Sequence, residues 1–263
     1  MILGFAPRFD EATEISRRWF EDLSTKIDMK KTAPEEAVRE KAEELVKELN
    51  PDTIVFYDHG VEDALIGNDK KPMFNMENIK LLKGKTLYTM ACLSGRKLGV
   101  EHWRNGGVFW GYNDAFAFVI DEEELFREAA NHGLIVRETL KLPWSRCFEE
   151  ARRKFDELVK KAKTFWAKVC LVHDKESLVC YDSSKPTPKC FLRRRLLRIV
   201  GWRPKHKIVG TILEWFGLGV LMHDFCHQLY VAGGLRGILS LQGGYVGFLI
   251  FVAGYIIEKR LYD

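Results

Sequence analysis

The stretch Thr53-Ile54-Val55-Phe56-Tyr57-Asp58-His59-Gly60 opens on five apolar or β-favouring residues and closes on an acid, an imidazole and a glycine. A strand with one wet face alternates polar and apolar residues, so an unbroken run such as TIVFY is what a strand covered on both faces requires. The pattern returns at residues 86–91 (TLYTMA), at 108–112 (VFWGY), and at 1–6 (MILGFA), which stops at Pro7. Helical periods separate these runs. Residues 10–23 place Ile15, Trp19, Phe20 and Leu23 on one face with Asp10 as N-cap. Residues 34–49 carry a proline in the first turn and Glu and Lys on a solvent face. A third helix is expected over 94–105, ahead of Gly106-Gly107, and others over 122–131 and 143–163. Residues 167–170 and 178–181, separated by HDKES, read as a hairpin. Apolar strands alternating with helices predict an α/β domain with a mainly parallel sheet.

Ligands of such sheets gather beyond the carboxyl ends of the strands. His59 and Gly60 follow TIVFY there, and Cys92 follows TLYTM in Ala91-Cys92-Leu93-Ser94-Gly95. Neighbouring parallel strands would set the two side chains together as a catalytic dyad. A thiol opening a helix is expected to have a lowered pKa. The imidazole can protonate a leaving amine. The backbone N–H groups of Gly60 and Cys92 are candidates for binding an oxyanion. Singly, such a His is more often a loop residue and such a Cys a core residue. It is their joint occurrence, each with a nearby glycine, that carries the reading. The other five cysteines lack this context and no two form a CxxC pair, so they read as structural thiols.

These two motifs, His59-Gly60 and Ala91-Cys92-x-Ser94-Gly95, lie in that order 33 residues apart. They resemble the clan of cysteine peptidases that contains caspases, gingipains, clostripain, legumain and separase. The resemblance covers roughly residues 1–165. It departs from true caspases, which carry Gln-Ala-Cys-x-Gly and a longer spacing, and is closer to a bacterial or archaeal caspase-like type. It implies a caspase–haemoglobinase-like three-layer domain, a thioester acyl-enzyme, and specificity set by the residue before the scissile bond. Relatives line that pocket from the loop after the first strand and from segments after the nucleophile strand. Here those regions offer Arg8, Asp10, Asn113 and Asp114. An acid there selects Arg or Lys, whereas Arg8 would select Asp. Two acids against one base favour a basic residue; the alternative is that Asp10 and Asp114 merely cap local structure.

The chain has 263 residues, 46% hydrophobic and 30% charged, enough for one large domain or a smaller domain with an appendage. Its net charge of +4 is uneven, because eight of the 41 Lys and Arg lie between 189 and 207 without an acid among them. So local a charge argues against a protein that coats nucleic acid. The start of the chain lacks a basic n-region and a secretory apolar core, which favours a cytosolic domain with reduced thiols.

Residues 183–189 (SSKPTPK) read as a linker. Residues 238–257 hold twenty residues without a charge, about the 30 Å of helix that crosses a bilayer. Gly243 and Gly247 form a GxxxG through which a second helix can approach. Residues 208–222 are apolar but contain Glu214, and either span or lie at the interface. Basic residues flank the region on both sides, which predicts a transmembrane helical hairpin with the domain in the cytoplasm. His223 and His227 have zinc-binding spacing but no third ligand, so neither a metal nor a cofactor is expected. The expected organisation is a peptidase domain over 1–182, a linker and basic juxtamembrane segment over 183–207, and membrane-anchoring helices over 208–263. The expected function is a membrane-tethered cysteine endopeptidase acting on protein or peptide substrates, with no nucleic-acid partner. The alternatives are a catalytically inactive caspase-like scaffold and, for the tail, a helical pair buried in a larger soluble fold.

Overall fold

The computed structural model describes residues 1–182. The linker, the basic segment, His223, His227, Gly243, Gly247 and the uncharged run at 238–257 all lie outside the described residues. Among the described residues, no helix is long and apolar enough to cross a membrane.

In chain order the elements are β1 (Ile2–Phe5), α1 (Glu11–Lys26), β2 (Lys30–Lys31), α2 (Arg39–Leu49), β3 (Thr53–Tyr57), β4 (Gly60–Val61), β5 (Ala64–Ile66), β6 (Pro72–Asn75), β7 (Thr86–Met90), α3 (Leu98–Arg104), β8 (Val108–Tyr112), α4 (Glu123–Leu140), α5 (Trp144–Lys161), α6 (Phe165–Ser177) and β9 (Leu178–Tyr181). The main sheet runs β2-β1-β3-β7-β8-β9, and β4, β5 and β6 form a small antiparallel sheet. Every pairing of the main sheet is parallel except β8 with β9. The fold is therefore α/β with a mostly parallel six-stranded sheet.

Alternate residues of the central strands feed two cores. Val55, Tyr57, Tyr88, Trp110 and Tyr112 pack with α1, α4, α5 and α6. Ile54, Phe56, Leu87 and Phe109 pack with α2, α3 and the small sheet. Both faces are thus covered, which is why the strands are apolar throughout. Each large side chain so buried contributes about 1.5–3 kcal/mol. A polar thread crosses the first core: Tyr57 donates to Asn131 Oδ1 at 2.8 Å, and Asn131 Nδ2 donates to the Trp19 carbonyl at 3.0 Å.

Three expectations are corrected. The helix expected over 34–49 breaks into a 3-10 turn, Pro34–Glu36, and α2. The helix after Cys92 starts only at Leu98 and has seven residues. The hairpin expected across HDKES is instead α6 running straight into β9. The Thr164 hydroxyl caps α6 by accepting from Ala167 N. Ala167, Leu171, Asp174 and Ser177 recur at helical spacing as its buried face. HDKES lacks the Gly, Pro or Asn a tight turn needs, and it forms the last helical turns.

Candidate active site

After β1 the chain crosses to β2 on one side, whereas β3 lies on the other side of β1. The strand order therefore reverses between β1 and β3, and the crevice beyond their carboxyl ends is where open α/β sheets hold ligands. Asp10 follows β1 there, His59 follows β3, and Cys92 follows β7, the next strand.

Register aligns the strands that the last two follow. Tyr57 pairs with Met90, and Asp58 N donates to the Met90 carbonyl at 3.2 Å. His59 and Cys92 each follow that pair by two residues, beyond the last paired position. A Cβ on Gly60 would lie 2.8 Å from the Cys92 carbonyl oxygen and 2.9 Å from Ala91 Cβ. Glycine is required here by close approach of the two strand ends. Ser94 and Gly95 have similar reasons. The Ser94 hydroxyl is buried and donates to the Ala91 carbonyl at 2.9 Å. A Cβ on Gly95 would sit 2.5 Å from Asn113 Oδ1. Leu93, between them, takes the left-handed conformation at φ 60°, an uncommon and strained choice for a branched side chain that sharpens the turn behind the thiol.

His59 is half-exposed, and its Nε2 meets Asp10 Oδ2 at 2.9 Å. An ionised Asp10 places the proton on Nε2 and leaves Nδ1 as the acceptor nitrogen. The Phe9 ring lies 5.6 Å from the imidazole. Asp10's other oxygen, Oδ1, accepts from Thr13 N at 2.9 Å as the cap of α1. Burial works against its charge, but the hydrogen bonds from Thr13 and His59, with the attraction of His59, hold its carboxyl below the ordinary 3.8. Asp58 behaves oppositely. It is buried, its Oδ1 accepts from His59 N, and its Oδ2 has no hydrogen-bond partner among the described residues. Burial, reinforced by the nearby negative charge of Asp10 and opposed by the His59 N–H, pushes its carboxyl up to about 8. Two neighbouring acids thus differ in charge at neutral pH.

The Cys92 thiol is half-buried, and its Sγ accepts from Phe116 N at 3.3 Å. Burial raises its pKa, as do the charges of Asp174 and Asp114, against the Phe116 N–H. The expectation of a thiol acidified by a helix N-terminus is overturned. Cys92 precedes α3 by six residues of turn, beyond the reach of that helix's end.

The remaining expected residues are engaged by neighbours. Arg8 forms an ion pair with Glu14. Asp114 accepts from Ala115 N at 3.0 Å and lies 3.6 Å from Arg96 Nη2, and its carbonyl accepts from Leu93 N at 3.1 Å. Sequence reasoning missed three groups. Arg96 ties the Asn113 carbonyl (2.6 Å) to Glu62 (2.9 Å) beside the Cys92 turn. His173 Nε2 donates to the Ala115 carbonyl at 2.8 Å, and Asp174 Oδ1 accepts from Ala117 N at 2.9 Å. Together the last two hold the segment that covers the thiol. Asp174 is fully buried, its Oδ2 has no hydrogen-bond partner among the described residues, and burial raises its carboxyl well above 3.8.

No protein-family model matches the chain, and no curated protein matches it.

Proposed function

We propose that the chain is a caspase-like cysteine endopeptidase of caspase–haemoglobinase type, tethered to a membrane through residues 208–263, with its domain in the cytoplasm. The single observation that supports this reading is the aligned, parallel pairing of β3 and β7, whose ends lead into His59 and Cys92, with Asp10 on Nε2 of His59. His59 Nδ1 takes the Cys92 proton as Sγ attacks the scissile carbonyl carbon. The oxyanion is received by the N–H groups of Cys92 and Gly60. The C–N bond then breaks, and His59 returns the proton to the departing amine, leaving a thioester on Cys92. Water attacks that thioester, giving its proton to His59; the acid departs and the thiol is restored. No metal or cofactor enters these steps.

With both oxygens of Asp10 occupied, its place is behind His59, and Asp114 is the acid that faces the residue before the scissile bond. Cleavage is therefore expected after Arg or Lys. Cleavage after Asp in a peptide library would reverse that assignment toward Arg8.

The covered, proton-retaining thiol favours a second reading, a catalytically silent membrane scaffold of the same fold. Labelling with an acyloxymethyl ketone bearing a basic residue separates the two. Wild type is expected to react at Cys92, while Cys92→Ala and His59→Ala lose labelling and peptide cleavage yet melt at the wild-type temperature. An unlabelled wild type, or full activity in either variant, rejects the dyad.

A further inference from the structure

Helix α6 is apolar on two opposite sides. Ala167 and Leu171 face inward and pack in the first core. On the other side Phe165 is 70% exposed, Trp166 51%, Val169 40% and Val172 47%. One apolar stripe suffices to seat a helix on its own domain, so a second calls for a second apolar surrounding. The charges about it are one-sided. Lys160, Lys161, Lys163 and Lys168 are exposed, and among the described residues none has an acid within ion-pair distance. The neighbouring acids are already engaged. Asp156 pairs with Lys175, Glu176 with Arg152, and Glu157 with Lys154. Glu122 accepts from the backbone of Lys163 and Thr164. What remains is an aromatic pair in edge contact, ring centres 5.4 Å apart, extended by two valines and bordered by unpaired lysines.

We infer that the outer face of α6 lies on the surface of an anionic bilayer, with Phe165 and Trp166 entering at headgroup depth and the four lysines meeting lipid phosphates. Trp and Phe on one side with Lys at the rim is the composition of interfacial helices, and each Lys near an anionic surface adds about 1 kcal/mol. The inference rests on the membrane tether proposed above, which would keep the domain near lipid. A protein partner would have to bring both an apolar groove and unpaired acids. The same helix reaches the candidate active site: on its buried side Asp174 accepts from Ala117 N, and the exposed His173 donates to the Ala115 carbonyl, so the two hold the segment over Cys92. Lipid contact and nucleophile are thus joined by one element.

Flotation and bromolipid quenching of the full-length chain test this. The chain and its Trp166→Phe variant are reconstituted in phosphatidylcholine vesicles, with and without phosphatidylserine, having acyl chains brominated close to the glycerol. The difference between the two proteins isolates the Trp166 emission. In phosphatidylserine vesicles that emission is expected to fall about two-fold or more on bromination, and to recover when the four lysines are changed to Gln. Chain that floats while the Trp166 emission ignores bromine overturns the docking of α6 but leaves the tether standing. Chain that does not float overturns both. Emission that changes with protein concentration rather than with lipid overturns it in favour of a second copy of the chain.

Discussion

Asp10 serves two structures with two oxygens, and a single substitution separates them. Asn keeps an N-cap acceptor, so Asp10→Asn should change stability by only a few tenths of a kcal/mol. It removes the negative charge that fixes the tautomer of His59, and on the proposed chemistry kcat should fall about 10²–10⁴-fold. An unchanged kcat, measured alongside an unchanged melting temperature, would show that His59 does not depend on this carboxylate. Asp58 makes a different prediction. Its carboxyl holds a proton up to about 8 when folded against 3.8 in the reference state. Between those values the folded chain binds more protons than the unfolded one, so stability falls as pH rises, by up to about 1.4 kcal/mol per pH unit. The contribution is fully present below the lower value and lost through the higher. Asp58→Asn should flatten the slope of unfolding free energy against pH by about that amount in urea titrations across this window. Asp174, raised in the same direction, keeps its own share. An unaltered slope would mean that Asp58 is ionised in the fold.

Along α4, a small residue is set against a large one. Gly133 faces Trp110, whose Cζ2 would lie 2.4 Å from an added Cβ. Trp110 has little room to retreat, being stacked on Tyr88 at 5.3 Å and packed by Trp144 and Phe148. Gly133→Ala gains about 1 kcal/mol of helix propensity, but overpacking a closed core costs about 1–3 kcal/mol. Net destabilisation is expected, seen as a melting temperature lower by a few degrees; a rise would show that the sheet yields. The elements legible in the sequence were those that carry a long uniform signal. β3, β7 and β8 declared themselves as unbroken apolar runs, and α1 and α5 by periodicity with a cap or a proline. The small sheet was not legible, because strands of two to four residues hold too few positions to show alternation. Helix α6 was misread because its outer face is as apolar as its inner one, which erases the helical period. At the site, the segments that carry His59, Gly60 and Cys92 could be placed in the fold from sequence, because each lies within three residues of the end of β3 or β7. The roles of Arg96, His173 and Asp174 were not legible, since they depend on contacts between elements distant in sequence.

For the molecule as a whole, the deciding question is whether the chain lives on a membrane. The described residues, 1–182, hold two closed cores, and the polar SSKPTPK segment follows them. From Lys189 onward the sequence supplies eight basic residues and then twenty without charge. Crossing the hydrocarbon with so many Lys and Arg is unfavourable, whereas an uncharged twenty-residue helix matches its thickness. The full-length protein should therefore sediment with membranes and be released by detergent, while truncation after Ser184 should leave a soluble domain with the melting temperature of the whole. Because basic residues flank both sides of the apolar region, a cysteine introduced at Ser184 and one introduced at Asp263 should both resist an impermeant maleimide added to intact cells. Labelling at either position would turn the hairpin around, since the lysines and arginines on that side would then have been translocated. Recovery of the full-length chain in the high-speed supernatant without detergent would dispose of the tether itself and, with it, the reason for α6 to meet lipid; the Asp10–His59–Cys92 arrangement, built wholly within residues 1–182, would be untouched and would then act on soluble substrates.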